Sequence, residues 1–340
     1  MTHIRAGNMR KMQNDMAESG DGARETEVDF TRAARVFKAV SESIEQVIMG
    51  KRQTIKLLLA AFFAGGHVLL EDVPGTGKTT LAKALARSVD TIFGRLQFTP
   101  DLLPSDIVGV SIYRQHSGGF EFIRGPVFTN ILLADEINRA SPRTQSALLE
   151  AMEERQVTVE GNRYLLDRLF FVIATQNPVE SHGTYPLPES QMDRFMIELA
   201  PGYLDRDTEA KVLMDQLKQH PLERIRAVAD EQDVVEVARV LTSIRISEEL
   251  RYYIVDLVSA TRSAEHVVLG AGVRGSLALL RISQALALFQ GREFVVPEDI
   301  IEAAPYVLSH RLQLTSQAKF SGATPAAIVS SIIQNLPVPK

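Results

Sequence analysis

The chain has 340 residues, with 37 Lys and Arg against 42 Asp and Glu, and it contains no cysteine. At roughly 150 residues per domain, this length predicts about two domains with enough chain for a substantial core. The absence of cysteine excludes disulfides, thiolate metal sites, Cys-ligated iron–sulfur clusters and cysteine nucleophiles. The net charge of −5 argues against a broad nucleic-acid footprint, because phosphate binding needs clustered Lys and Arg.

Residues 1–29 are polar and carry no apolar periodicity, so we expect a flexible N-terminal tail. The tail lacks the apolar segment that a signal peptide needs. The longest apolar stretch, from Leu57 to Leu70, is interrupted by glycines and is shorter than the ~18–20 residues of a membrane span. These features predict a cytoplasmic protein with no membrane span.

Residues 30–202 alternate helices with short apolar strands, which is typical of an α/β domain with a parallel sheet. A helical pattern runs from Asp29 to about Leu59 and is interrupted at Gly50. The strands are predicted at 67–70, 131–134 and 170–174.

Two predicted hairpins interrupt this domain, each around a glycine-containing turn. They pair Val110–Arg114 with Phe120–Ile123, and Gln156–Val159 with Arg163–Leu166. Beyond about residue 202 the strand pattern fades, and a second, all-helical domain is predicted over residues 203–340. Its helices are expected at 204–217, 234–244, 248–262, 275–289 and 297–310.

The most specific motif is a glycine-containing loop between the first predicted strand and a helix. Such a loop turns backbone N–H groups and a helix N-terminus toward an anion. Lys78 would reach the β- and γ-phosphates of ATP, and the Thr79 hydroxyl would face Mg²⁺. The usual phosphate-loop pattern has glycine where this chain has Asp72, so the match is not strict. The predicted ATP-binding residues here are Pro74, Gly75, Thr76, Gly77, Lys78, Thr79 and Thr80.

The strand predicted at 131–134 runs into two acids, Asp135 and Glu136. A parallel sheet would place both carboxylates at its C-terminal edge, beside the phosphate loop. Asp135 is predicted to hold Mg²⁺, and Glu136 to polarise an attacking water molecule. An acidic pair that only caps the next helix is the alternative, against which the neighbouring phosphate loop argues. A water-activating glutamate predicts hydrolysis rather than transfer to an acceptor.

Three further residues are candidates for contact with the γ-phosphate. Asn177 follows the third predicted strand and could orient the water, or could instead be a turn residue before Pro178. Arg194 is predicted on a helix, from which it could neutralise the γ-phosphate of a neighbouring subunit. Arg274 opens a helix of the second domain and could touch the same phosphate. A surface ion pair for Arg194 and simple solvation of Arg274 are the alternatives.

The chain resembles the MoxR-type AAA+ ATPases over about residues 30 to 312. The most specific matches are Asn138-Arg139-Ala140 and the stretch from Gly183 to Glu189. The resemblance implies a three-layer AAA+ nucleotide-binding domain with a smaller helical lid, assembled into a hexameric ring. It also implies an adenine pocket near Val47 and Ile48, Asn177 as sensor 1, Arg194 as arginine finger and Arg274 as sensor 2.

Two details of the sequence bear on this resemblance. The family usually has Ser-Pro before the sensor 2 arginine, where this chain has Gly272 and Val273. The hairpins at 110–123 and 156–166 match the helix-2 insert and the pre-sensor hairpin, which commonly face the pore of such rings or a partner.

The sequence therefore predicts an Mg²⁺-dependent ATP hydrolase whose active site is completed between subunits. The resemblance implies that the ring remodels or matures protein clients, by metal insertion or complex assembly, beside a protein with a von Willebrand factor A domain. A nucleic-acid motor is one alternative, although the hairpins mix arginines with glutamates. A nucleotide-gated scaffold with negligible turnover is the other, and the presence of Glu136 and Arg194 argues against it.

Overall fold

The computed structural model of the protein describes residues 29–71, 75–116, 118–177, 184–216 and 221–339. Pro74 of the phosphate loop and residues 1–28 of the predicted tail lie outside the described residues. No helix within those ranges is long and apolar enough to cross a membrane.

The first domain is built from helices around a central sheet. Its helices are α1 (Phe30–Glu45), α2 (Arg52–Phe63), α3 (Lys78–Ser88), α4 (Pro104–Val108), α5 (Pro142–Glu154) and α6 (Glu189–Met192). Its strands are β1 (Val68–Glu71), β2 (Phe93–Gln97), β3 (Gly109–Arg114), β4 (Gly119–Arg124), β5 (Ile131–Asp135), β6 (Gln156–Val159), β7 (Asn162–Leu165), β8 (Phe171–Gln176) and β9 (Ile197–Leu199).

The central sheet is parallel and has the strand order β2-β5-β8-β1-β9. The three predicted strands, β1, β5 and β8, form its interior and are confirmed. The edge strands β2 and β9 were not predicted from the sequence, because β2 has a single buried residue and β9 has only three residues. Edge strands lack the continuous apolar run that marks a strand covered on both faces.

Alternate residues of the strands point into two separate cores, which makes the domain three-layered. Leu69 of β1 packs with α5 on one face, whereas Val68 and Leu70 pack with α1, α2 and α3 on the other. The second of these cores continues into helices beyond residue 202. The predicted boundary at 202/203 stays a prediction, although β9 ends at Leu199 and the next helix begins at Arg206.

Both predicted hairpins are confirmed: β3 pairs with β4, and β6 pairs with β7. The β6–β7 turn places Glu160 and Gly161 at φ values of 51° and 80°, as expected for a tight turn whose twist matches the two strands. The hairpins touch through Phe122 and Tyr164, whose stacked rings have centroids 4.0 Å apart.

The second domain consists mainly of the predicted helices. They are α7 (Arg206–Gln216), α8 (Glu231–Ser243), α9 (Glu248–Ser263), α10 (Val273–Phe289), α11 (Pro297–Leu308), α12 (Ser316–Phe320) and α13 (Pro325–Asn335), of which α12 and α13 were not predicted. The domain is not entirely helical, because β10 (Val267–Leu269) pairs with β11 (Gln313–Leu314). Strands this short depend on a partner far along the chain and leave little pattern in the sequence.

Candidate active site

The phosphate loop leads from β1 into α3. Gly75 and Gly77 have φ values of +88° and +87°, a left-handed conformation that side chains with a Cβ rarely adopt. Gly77 caps α3, so the helix begins at Lys78 and presents its N-terminal N–H groups where an anion is expected. Both glycines are therefore needed for their left-handed backbone conformation, since a Cβ at either position would meet no neighbouring atom.

A cavity of about 350 Å³ brings most of the predicted site together. One wall is formed by the phosphate loop and the start of α3, and the other by the carboxyl ends of β5 and β8. Of the predicted residues, it is lined by Gly75, Gly77, Lys78, Thr79, Thr80, Asp135, Glu136 and Asn177. The convergence follows from the topology, because the C-terminal ends of parallel strands meet at one edge of a sheet.

The two acids are held in a defined geometry by Thr175. The Thr175 hydroxyl donates to Asp135 Oδ1 at 2.7 Å and accepts from the backbone N–H of Glu136 at 2.8 Å. Glu136 has a φ of 57°, which is uncommon outside glycine. Backbone conformations of this kind cluster at functional sites, where the surrounding contacts maintain them.

Side chains from β2 also hold the two acids, and they were not predicted because this strand was not predicted. Arg95 Nη2 donates to Asp135 Oδ2 at 2.7 Å and to Gln97 Oε1 at 2.8 Å. Gln97 Nε2 in turn donates to Glu136 Oε2 at 2.8 Å, and Arg139 Nη1 donates to the same oxygen at 3.0 Å. The only available signal was the spacing of Arg95 and Gln97 two residues apart, which puts both on one face of a strand.

The donors in this cavity fit Mg²⁺. Thr79 and Asp135 supply hard oxygen atoms beside the phosphate loop. In the ranges that the structure describes, no group of three or more His, Asp or Glu side chains could hold a metal unaided. Mg²⁺ suits such a site, because it is usually bound through one or two carboxylates together with nucleotide phosphates and water.

Arg194 and Arg274 lie together in a second cavity of about 320 Å³. Arg194 is not helical as predicted, because α6 ends at Met192 and Arg194 lies in the following turn. Its Nη2 forms an ion pair with Glu153 Oε2 at 3.1 Å, and Arg274 Nη2 donates to the other oxygen, Oε1, of the same carboxylate. The side chain of Glu153, at the end of α5, thus joins the two predicted arginines.

The two cavities lie at opposite ends of the strands of the central sheet. His67 and Met196 line the arginine cavity and precede β1 and β9, and the N–H of Met196 donates to the carbonyl of His67 at 2.8 Å. The phosphate loop follows the other end of β1. Neither Arg194 nor Arg274 lines the cavity that contains Lys78 in the described part of the chain.

Val47 and Ile48 lie between α1 and α2, where Val47 is buried in the core and Ile48 packs against it. Neither lines the phosphate-loop cavity, so their place in an adenine pocket stays a prediction. Close by, Lys51 Nζ donates to the carbonyls of Pro201, Gly202 and Tyr203 at 2.6–2.9 Å. Lys51 thereby fixes the segment that leads from β9 to the second domain.

Two carboxyl groups are paired where β1 meets the phosphate loop. Glu198 of β9 lies beside β1, and its carboxyl group hydrogen-bonds with that of Glu71, the last residue of β1. Burial, followed by the hydrogen bond and the charge of Glu71, raises the pKa of Glu198 far above its usual range. The folded chain therefore favours the protonated form of Glu198.

Replacement of Glu198 by Gln is expected to stabilise the protein increasingly as the pH rises from 5 to 9. A raised pKa in the folded state stabilises fully below the unfolded pKa near 4.5, and that stabilisation is lost as the pH rises toward the folded value. The amide has no proton to lose. The difference in Tm between Glu198→Gln and wild type measures the effect, and exposed Glu293→Gln is the control. A difference that does not grow with pH would contradict the pairing.

Family models match both domains of the chain. The model of the ATPase family associated with various cellular activities (AAA) matches residues 67–197, and that of the AAA lid domain matches residues 259–332. Together with the five-stranded parallel sheet and the helices beyond it, these matches confirm the predicted AAA+ α/β fold with a smaller helical lid domain.

Several proteins are similar along most of the chain. An uncharacterised Bacillus subtilis protein, YeaC, is 51% identical over 302 residues, which cover 89% of this chain and 94% of YeaC. Chaperone MoxR1 of Mycobacterium tuberculosis is 39% identical, covering 87% and 81% of the two chains. Protein MoxR of Paracoccus denitrificans is 30% identical, covering 89% and 96%.

A solved crystal structure is also similar to this chain. A Cytophaga hutchinsonii protein described as a candidate ATPase superposes with a TM-score of 0.85 at 41% sequence identity. The superposition covers 92% of this chain and 97% of that one. The chain belongs to the MoxR family of AAA+ ATPases.

Proposed function

We propose that this chain is an Mg²⁺-dependent ATP hydrolase that assembles into a hexameric ring, with each active site completed by a neighbouring subunit. The supporting observation is that two groups of residues lie at opposite ends of the strands of the sheet. One group is Lys78, Asp135 and Glu136, and the other is Arg194 and Arg274. Contact between unlike surfaces of successive subunits would bring the two cavities together, and such contacts form a ring when the rotation between subunits closes.

Arg194 offers a second argument for completion by another molecule. Its Nε is buried and has no hydrogen-bond partner within the described residues. A buried donor without an acceptor costs about 1–3 kcal/mol. An anion contributed by a neighbouring subunit would satisfy this donor, and the γ-phosphate of ATP is such an anion.

Hydrolysis would use the chain's own groups as follows. The N-terminus of α3 and Lys78 bind the phosphates, and Glu136 takes a proton from a water molecule that Asn177 orients. Bound through Thr79 and Asp135, Mg²⁺ would neutralise charge on the phosphate oxygens. Arg194 and Arg274 of the next subunit would stabilise the charge that develops on the γ-phosphate.

We propose that the client is a protein in the cytoplasm, engaged beside a von Willebrand factor A domain partner during metal insertion or complex assembly. A relative named as a chaperone supports a protein client. The β3–β4 hairpin exposes Tyr113 and Phe120, whose ring centroids are 5.4 Å apart, next to an ion pair between Arg114 and Glu121. Exposed aromatic side chains suit an apolar protein segment better than a phosphate backbone.

The Lys78→Ala variant tests whether the phosphate loop binds ATP, on which the proposed ATP hydrolysis depends. We expect it to lose ATP binding, because it removes the cation closest to the β- and γ-phosphates. Isothermal titration with ATP and Mg²⁺ measures the loss. Lys83→Ala is the matched control, since Lys83 lies on the same helix but outside the cavity. Tight ATP binding by Lys78→Ala would contradict the assignment.

The kind of client has a separate test. ATPase activity of the unaltered protein that is strongly stimulated by DNA at physiological salt would favour a nucleic-acid client.

A further inference from the structure

Arg311 is a buried arginine of the second domain that reaches into the first. It ends a short 3₁₀ turn, Ser309–Arg311, that follows α11. Its side chain is only 3% exposed, although a guanidinium is always charged. Burying such a group is unfavourable unless its N–H donors are paired, so its contacts identify what it holds in place.

Most of those donors bind the turn that contains Arg194. Arg311 Nε donates to Asp193 Oδ1 at 2.8 Å, and Nη2 donates to the carbonyl of Phe195 at 2.7 Å. Longer contacts lead from Nη2 to the carbonyl of Asp193 at 3.4 Å and from Nη1 to that of Met196 at 3.3 Å. The guanidinium thus binds the residues on both sides of Arg194, Asp193 and Phe195.

The remaining contacts anchor Arg311 within its own domain. Nη1 donates to the carbonyl of Val307, one turn earlier, and lies 2.8 Å from Nε2 of His310. His310 Nε2 also lies 3.2 Å from the carbonyl oxygen of Phe195, so His310 packs against the same turn. Burial, and then the charge of Arg311, lower the pKa of His310 well below its usual range, so the imidazole is neutral.

Other contacts also hold the turn: its own backbone hydrogen bonds, the N–H of Met196 on the carbonyl of His67, and the ion pair of Arg194 with Glu153. α6 is a single turn of helix, and Arg194 lies between it and the edge strand β9. The planar fork of an arginine can bind a carboxylate and several carbonyls at once, which an ammonium group cannot do in the same geometry. Arg311 therefore fixes both the path of the turn and its distance from the second domain.

We propose that Arg311 is a positioning residue, which sets the place of Arg194 at the subunit interface and ties that place to the second domain. This inference rests on the proposed role of Arg194 toward the ATP of a neighbouring subunit. Arg274 of α10, which shares Glu153 with Arg194, provides a second link between the same parts of the molecule.

The test is a double-mutant cycle between Arg311→Met and Arg194→Ala, measured as steady-state ATPase on assembled protein. Arg311→Met alone is expected to lower kcat about 10²-fold, since a misplacement of about 1 Å can cost that much. Its KM and its affinity for ATP should stay near wild type, because Arg311 does not line the cavity of Lys78. In the Arg194→Ala background, Arg311→Met should lower kcat no further, since it acts only through Arg194.

A matched control separates positioning from a general loss of stability. Arg292→Met removes another half-buried arginine of the second domain, which binds both oxygens of Asp299 at 2.7 and 2.9 Å and does not contact the Arg194 turn. It should lower Tm without lowering kcat. If Arg311→Met does not fold, Asp193→Asn weakens the same contact from the other side and should give the same fall in kcat and the same lack of effect beside Arg194→Ala.

Two results would overturn the inference. One is a folded Arg311→Met variant with unchanged kcat, and the other is an equal loss of kcat with and without Arg194. Either could occur while Arg194→Ala itself shows the expected large fall in kcat, in which case the proposed function stands. Normal turnover by Arg194→Ala would instead contradict the proposed function directly.

Discussion

Arg194→Ala is expected to lower kcat by about 10³-fold or more while ATP binding is retained. An arginine that a neighbour supplies to the γ-phosphate stabilises charge that develops only in the transition state, and such arginines contribute roughly 10³–10⁵ in rate. The phosphate loop at the other end of the strands is untouched by the change. The measurement is steady-state release of phosphate together with titration of ATP, and exposed Arg143→Ala on α5 is the control.

Mixed rings test whether Arg194 acts on the next subunit. Arg194→Ala subunits keep a complete set of Lys78, Asp135 and Glu136, whereas Glu136→Gln subunits keep Arg194. Wherever a Glu136→Gln subunit presents Arg194 to an Arg194→Ala neighbour, one intact site is rebuilt, so mixing two inactive proteins should restore activity. If no mixing ratio restores turnover, the role of Arg194 in a neighbouring site is weakened.

Glu136→Gln is expected to bind ATP and assemble but to lower kcat about 10²–10⁴-fold, the usual contribution of a general base. Glutamine has nearly the same shape, and its amide oxygen can still accept the hydrogen bond from Gln97 Nε2. The variant should therefore lose proton transfer and little else. Exposed Glu150→Gln on α5 is the control, and normal turnover by Glu136→Gln would assign the base to another residue.

The same variant gives access to the partners. An assembly that holds ATP without turnover should retain its client long enough for isolation, so tagged Glu136→Gln with ATP should capture proteins that the Lys78→Ala form does not. Mass spectrometry of both samples identifies the difference. Capture of the same proteins by both variants would show that binding does not depend on the nucleotide.

Much of the site could be predicted because its residues are adjacent in sequence to buried strands. The loop at Gly75 to Thr80 and the acids at the end of β5 are each a local pattern, and the parallel sheet brings their strand ends together. The three interior strands were predictable for the same reason, since they are covered on both faces.

The contacts that orient the site could not be predicted, because they join residues far apart in the chain. Gln97 lies on an edge strand without an apolar run and still holds Glu136. Arg311 binds Asp193, 118 positions earlier, and no local spacing marks either residue as a partner of the other. It is easier to recognise reactive residues in a single sequence than to recognise the residues that hold them in place.

The carboxylate of Glu153 already occupies the space between Arg194 and Arg274. The charge of this carboxylate therefore partly neutralises both guanidinium groups within the chain. If the two arginines act on the ATP of a neighbouring subunit, as proposed, its γ-phosphate would take the place of the Glu153 carboxylate. Glu153 would thus hold the two guanidinium groups side by side until that phosphate binds.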